Sequence, residues 1–222
     1  MKLALVHYKY RKIEPVWHVQ LAVLLAIILQ IALSNNLTVG PKYAIAGFEV
    51  LLLVLLSLLK PTLKLGVMKL RRNIAVLLIA CISVANITSL ALVLNDLFHQ
   101  GSNVTGKGLI LSSLAIYLTN IIIFGLWYWE LDSNGVQGQS TDILPMDFLF
   151  PQMRMQKDDA IRLNWQPTFF DYIYISITNA VAFSPNDTVP LTHRAKFLMT
   201  LQSLISVATV ALLVTRAVTI LA

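Results

Sequence analysis

Asp171-Tyr-Ile-Tyr-Ile-Ser-Ile-Thr-Asn-Ala-Val-Ala-Phe-Ser-Pro-Asn-Asp-Thr-Val-Pro-Leu-Thr192 is the stretch on which the fold turns. It starts as an apolar run, but Asp171, Ser176, Thr178 and Asn179 interrupt it, and such a segment makes a poor lipid-facing helix. It must be buried in protein or line water. Tyr172, Ser176, Asn179 and Phe183 share one face at helical spacing. A turn, Ser184-Pro185-Asn186-Asp187, follows, because proline fixes its own φ and holds the residue before it extended. Thr192 then stands as the N-cap of a last apolar helix, with Pro190 ending the preceding turn.

Outward from this stretch the chain is dominated by apolar runs. Hydrophobic residues make up 57% of the 222 and charged residues 13%, far from soluble norms. Residues 16–34, 42–59, 73–95, 107–130 and 192–222 reach or approach the roughly 18-residue length of a membrane span. The expectation is an all-α polytopic transmembrane bundle: five spans plus one short helix-turn segment. Residues 1–105 hold the N-terminal transmembrane helices, and 106–222 an outer helix, a linker, the short helix and an inner helix. The first run is too long for a signal peptide and lacks a small-residue cleavage site, so it is expected to stay in the chain. The single cysteine, Cys81, excludes an internal disulfide and reads as a small packing residue.

The net charge of +6 reads as a topology signal and not as a nucleic-acid footprint. Lys2, Lys9, Arg11 and Lys12 precede the first run, and Lys60, Lys64, Lys69, Arg71 and Arg72 follow the second. Lys42 and Lys107 are alone in the alternate loops. This bias places the N-terminus in the cytoplasm of a bacterial-type plasma membrane. The fourth run then ends inside, at Trp127-Tyr128-Trp129. The segment after it either enters and leaves from that side or crosses fully, from about residue 165 to 184; otherwise the charge bias fails here. The linker 131–166 carries Gly135, Gly138, Pro145 and Pro151, which argue against a continuous helix. Around 146–155 a short interfacial segment is expected, with Phe and Met at the headgroups.

The 171–192 stretch resembles the pore-helix, filter and inner-helix unit of potassium channels, D-x-x-Y-x-S-x-x-x-x-T-x-V-G-Y-G-D-x-x-P-x-T. Asp171, Tyr174, Ser176, Asp187, Pro190 and Thr192 fall on that template without a gap. Val181-Ala-Phe-Ser-Pro-Asn-Asp187 stands where the filter would be. The chain is also similar to bacterial multi-pass proteins that end in a comparable Asp-x-x-Tyr-x-Ser-x-Thr segment. The resemblance implies a homo-oligomer, four-fold, that conducts monovalent cations across the lipid bilayer. It implies a path past Thr178, Asn179, Ser184, Asn186 and Asp187. Pro185 forbids the carbonyl ladder of a potassium filter, so side chains would have to coordinate the ion, with poor selectivity. The plain alternatives are an Asx-type turn at Asp187 and interhelical hydrogen bonding by Thr178 and Asn179.

Gln202, Ser206, Thr209 and Arg216 form one stripe on the last helix, the pattern either of an inner helix lining water or of a tightly packed one. Arg216 is expected to reach the interface. The four early runs contain no Arg, which argues against a voltage-sensing ladder. Glu49, roughly 10 Å beyond Lys42, is the one carboxylate well inside an early run. It reads as a proton relay or ion site, as the partner of a buried base such as His18, or as a shallow residue reaching the headgroups. A proton-coupled carrier using Glu49 and Asp171, or a non-conducting scaffold, are the competing functions. Asn86 and Asn120 are placed to pair across an antiparallel helix contact. Asn36, Asn86, Asn103 and Asn186 open Asn-x-Ser/Thr triplets. His7, His18, His99 and His193 show no metal-ligand spacing, and no nucleophile elbow or phosphate loop occurs, so no enzyme, metal or cofactor is expected.

Overall fold

The computed structural model describes residues 17–33, 42–59, 65–98, 106–132, 146–154, 165, 167–182 and 187–221. They form six α-helices, one 3-10 turn and two very short strands. The helices are α1 (Trp17–Ala32), α2 (Lys42–Leu58), α3 (Leu65–Phe98), α4 (Gly106–Asp132), α5 (Phe169–Ala182) and α6 (His193–Leu221). Between α4 and α5 lie β1 (Phe148–Leu149) and the 3-10 turn Pro151–Arg154, and β2 (Val189–Pro190) precedes α6. Three stretches are long and apolar enough to cross a bilayer: Lys69–Asp96, Gly108–Asp132 and His193–Val218. The chain is an all-α membrane protein. Its α1 and α2 are shorter apolar helices.

The expected runs fall on helices, with one shift. α3 begins at Leu65 and not near residue 73, taking Lys69, Arg71 and Arg72 into its first turns. Long basic side chains are good helix formers, and Arg71 is buried there. Hydroxyls inside the helices return to backbone carbonyls one turn back. Ser113 donates to the Leu109 carbonyl, Thr209 to that of Ile205 and Thr178 to those of Tyr174 and Ile175. This leaves them satisfied without water.

α4 is the hub, packing on α1, α3, α5 and α6. Its Ile116, Ile123, Leu126 and Tyr128 are all fully enclosed. Helix directions follow from cross-helix bonds. Tyr172 and Ser176 of α5 bond Asp132 and Ile121 of α4, so the two helices run in opposite senses. Gln202 and Ser206 of α6 bond Tyr128 and Asn120, so α6 also opposes α4. α5 and α6 therefore run in the same sense. Both start at the end where α4 stops. His18 packs edge-on to Phe170, Gln20 bonds Ser57, and Arg72 pairs with Glu130, so that same end also holds the start of α1, the end of α2 and the start of α3.

Gly125 permits the α4–α5 approach. A Cβ there would lie 2.5 Å from Ile173 Cδ1 and 3.3 Å from Ile173 Cα. β1 and β2 pair antiparallel, Phe148 opposite Pro190 and Leu149 opposite Val189. The linker is thus fastened to the strand that follows α5. This corrects the expectation of Phe side chains at the headgroups: Phe148 and Phe150 are buried. Their rings pack edge-on to Tyr172, and Phe148 also meets Tyr128.

Candidate functional site

The buried polar face of α5 meets α4 and α6 in one connected network. Ser176, Asn179 and Gln202 are each almost wholly enclosed. The Gln202 amide nitrogen donates to the Ser176 carbonyl at 2.9 Å and to its hydroxyl at 2.7 Å. Its amide oxygen accepts from Tyr128 Oη at 2.5 Å and from Asn179 Nδ2 at 2.8 Å. Asn179 Nδ2 also donates to the Met199 carbonyl at 3.0 Å, and the Ser203 hydroxyl reaches Asn179 Oδ1 at 3.4 Å. Ser176 donates to the Ile121 carbonyl at 2.6 Å. One turn deeper, Asn120 Nδ2 donates to the Ser206 hydroxyl at 3.0 Å. In a medium without water such a network is favourable because each member would otherwise be an unsatisfied group.

A second node lies at the common helix end. Asp132 Oδ1 accepts from the Asp147 amide at 2.7 Å and, more weakly, from that of Phe148 at 3.4 Å. Asp132 Oδ2 accepts from Tyr172 Oη at 2.5 Å. The Thr192 hydroxyl donates to the Asp147 carboxylate, and the Leu191 amide to the Asp147 carbonyl at 2.9 Å. Thr192 caps α6 as its sequence position implies, accepting from the Ala195 amide at 3.2 Å. One carboxylate on α4 thereby holds the linker and the start of α5, and through Asp147 the start of α6.

Among the expected pathway residues, Asn179, Gln202 and Ser206 come together, but they face α4 inside the chain. Thr209 is buried too, with its hydroxyl turned back on its own helix. Thr178 is half-exposed. Asp187 is exposed, at the end where the chain returns to β2. Ser184, Asn186, Phe183 and Pro185 lie outside the described residues, as do Asn36, Asn103, His7 and His99. Asp171 accepts from the amide and hydroxyl of Thr168 at 2.7 and 2.8 Å, so its carboxylate supplies the N3 arm of a capping box at the start of α5.

Glu49 is fully enclosed, and neither carboxylate oxygen has a hydrogen-bond partner among the described residues. It does not reach the headgroups, and His18 packs instead against Trp17 and Phe170. Asn86 and Asn120 do not pair, because Asn120 turns to α6. At the common end Arg72 Nε lies 3.6 Å from Glu130 Oε1, an ion pair beyond hydrogen-bond length. Among the described residues no three His, Cys, Asp or Glu side chains stand close enough to hold a metal ion.

Tyr128, Asn120 and Asp132 carry the geometry of this site, and sequence reasoning gave Tyr128 and Asp132 no such part. The available clue was Asn120, Phe124 and Tyr128 at four-residue spacing, one face of α4. No family model, no curated protein and no solved structure matches this chain, and its geometry stands on its own.

Proposed function

We propose that the chain is the subunit of a weakly selective cation channel, with five spans and α5 as a helix that enters the membrane and leaves on the same side. The observation that carries this reading is the shared origin of α5 and α6 beside the end of α4. α5 has 14 residues, about 21 Å of helix, short of the roughly 30 Å hydrocarbon core. β2 then pairs with the linker that led into α5. This is the arrangement a pore helix, turn and inner helix need. The polar faces of α5 and α6 serve as a brace that fixes the re-entrant helix, and ions meet the turn 184–187. Asp187 supplies the negative charge that favours cations, repeated around the axis of a symmetric, four-fold assembly.

Lys69, Arg71, Arg72, Arg154, Arg194 and Lys196 cluster at the common end, against Lys42, Lys107 and Arg216 at the other. Charge bias places the common end in the cytoplasm. The helix then enters from inside and the C-terminal end of α6 faces out. Replacing Asp187 by Asn tests the reading in reconstituted vesicles. Cation flux falls several-fold and discrimination against anions weakens; unchanged flux removes Asp187 from the path.

A second reading, a non-conducting scaffold, is favoured by the complete enclosure of Gln202, Ser206 and Thr209 within one chain. The outward face of α6, with Phe197, Leu204, Val207 and Val214, is apolar. A protein that stays monomeric in lipid and passes no ions supports that reading.

A further inference from the structure

Arg194 and Lys196 stand exposed in the first turn of α6, and Phe197 beside them is 67% exposed. β2 leads straight into this turn. Val189 in β2 and Leu191 just after it are two positions apart, so they share one side of an extended chain, and both are exposed. β1, the partner of β2, is followed by the 3-10 turn that ends at exposed Arg154. Bases and large apolar side chains exposed together suit neither water nor hydrocarbon alone. They suit the boundary, where bases reach headgroups and apolar groups reach acyl chains.

The outward stripe of α6 sets the level of the headgroup. From Phe197 it continues through Leu204, Val207 and Val214, all exposed. Arg194 to Leu204 is about 15 Å of helix, half of the roughly 30 Å hydrocarbon core and so the depth of one leaflet. A phospholipid lying along Phe197 and Leu204 therefore has its headgroup level with Arg194 and Lys196. Among the described residues the ion pair joins Arg72 to Glu130, and none of Arg154, Arg194 and Lys196 has an acid partner. Asp147 is engaged by Thr192, and Asp187 is the exposed acid of this segment. The surplus of positive charge matches a phosphate that no ammonium of its own lipid offsets. We propose that the β1–β2 ladder and the first turn of α6 bind an anionic phospholipid, with its phosphodiester on Arg194 and Lys196 and its acyl chain against Phe197. A soluble acidic segment matches the bases but leaves the apolar stripe below them unused. The proposal holds for a conducting and for a non-conducting chain alike.

The test reconstitutes the full-length protein in phosphatidylcholine vesicles holding a trace of phosphatidylglycerol or phosphatidylcholine, spin-labelled on the acyl chain. The fraction of motionally restricted label reads contact with the protein. The wild-type protein restricts phosphatidylglycerol about three-fold or more in preference to phosphatidylcholine. The double variant Arg194→Gln, Lys196→Gln brings the two lipids to parity, and Arg216→Gln, at the opposite end, keeps the preference. Restriction of phosphatidylcholine reads the whole apolar surface, and its wild-type value in the double variant separates lost selectivity from lost fold. Equal restriction of both lipids by the wild-type protein overturns the proposal, and so does a preference kept by the double variant. Loss of the preference to inorganic phosphate or a poly-glutamate peptide, but not to chloride at equal ionic strength, overturns it too. That outcome would mark a site for a free anion or an acidic protein segment.

Discussion

Gln202 engages both ends of its amide, giving two hydrogens to Ser176 and accepting from Tyr128 and Asn179. It is fully enclosed, so none of these groups can turn to water instead. Each buried group left unpaired costs roughly 1–3 kcal/mol. Gln202→Leu is therefore expected to destabilise the helix trio by about 2–4 kcal/mol, read as a lowered thermal midpoint in detergent. A change within error would show the amide to be a passenger. Sequence alone places Asn179, Gln202, Ser206 and Thr209 on polar faces, because helical spacing is local. It cannot say what those faces meet. Tyr128 and Asn120 sit some 50 to 90 positions away, at separations of 51, 74 and 86 residues for the bonds they make. Glu49 has the opposite history. Its depth is legible from its place in an apolar run, whereas its want of a hydrogen-bond partner among the described residues depends on how the helices pack together.

At the scale of elements, the apolar runs identify the helices well, since lipid demands continuous hydrogen-bonded segments. The linker is less legible. Gly135, Gly138 and Pro145 lie outside the described residues, while residues 146–154 hold β1 and the 3-10 turn at Pro151 and no continuous helix; a two-residue ladder to β2 is too short to leave a pattern in sequence. The contact between α4 and α5 depends on one missing side chain, at Gly125. Gly125→Leu would place atoms where Ile173 now packs, including its Cα at 3.3 Å from the new Cβ. Backbone cannot move aside as a side-chain tip can, and overpacking of this kind costs about 1–3 kcal/mol. The expected outcome is a displaced α5, seen as faster proteolysis after Arg154, with the three long helices kept. Wild-type resistance in Gly125→Leu would mean that α5 is held from elsewhere.

For the molecule as a whole, the cross-helix bonds fix the helix directions in one layout. Five helices alternate in direction, and α5 starts at the end it shares with α6. Sequence leaves crossing and re-entry both open, because Asp171, Ser176, Thr178 and Asn179 fit either a buried span or a pore helix. Asp171 as cap, Tyr172 on Asp132 and Thr192 on Asp147 bring the start of α5 and the start of α6 to one level. Re-entry is the central claim, and the sidedness of two positions tests it most directly. In a background where Cys81 is replaced by Ala, single cysteines at Met146 and Asp187, both exposed, are labelled with a membrane-impermeant maleimide in intact cells and inverted vesicles. Labelling of both positions from the same side, the inverted-vesicle one, is the predicted result. Labelling from opposite sides would mean that α5 crosses the bilayer, and would contradict the account.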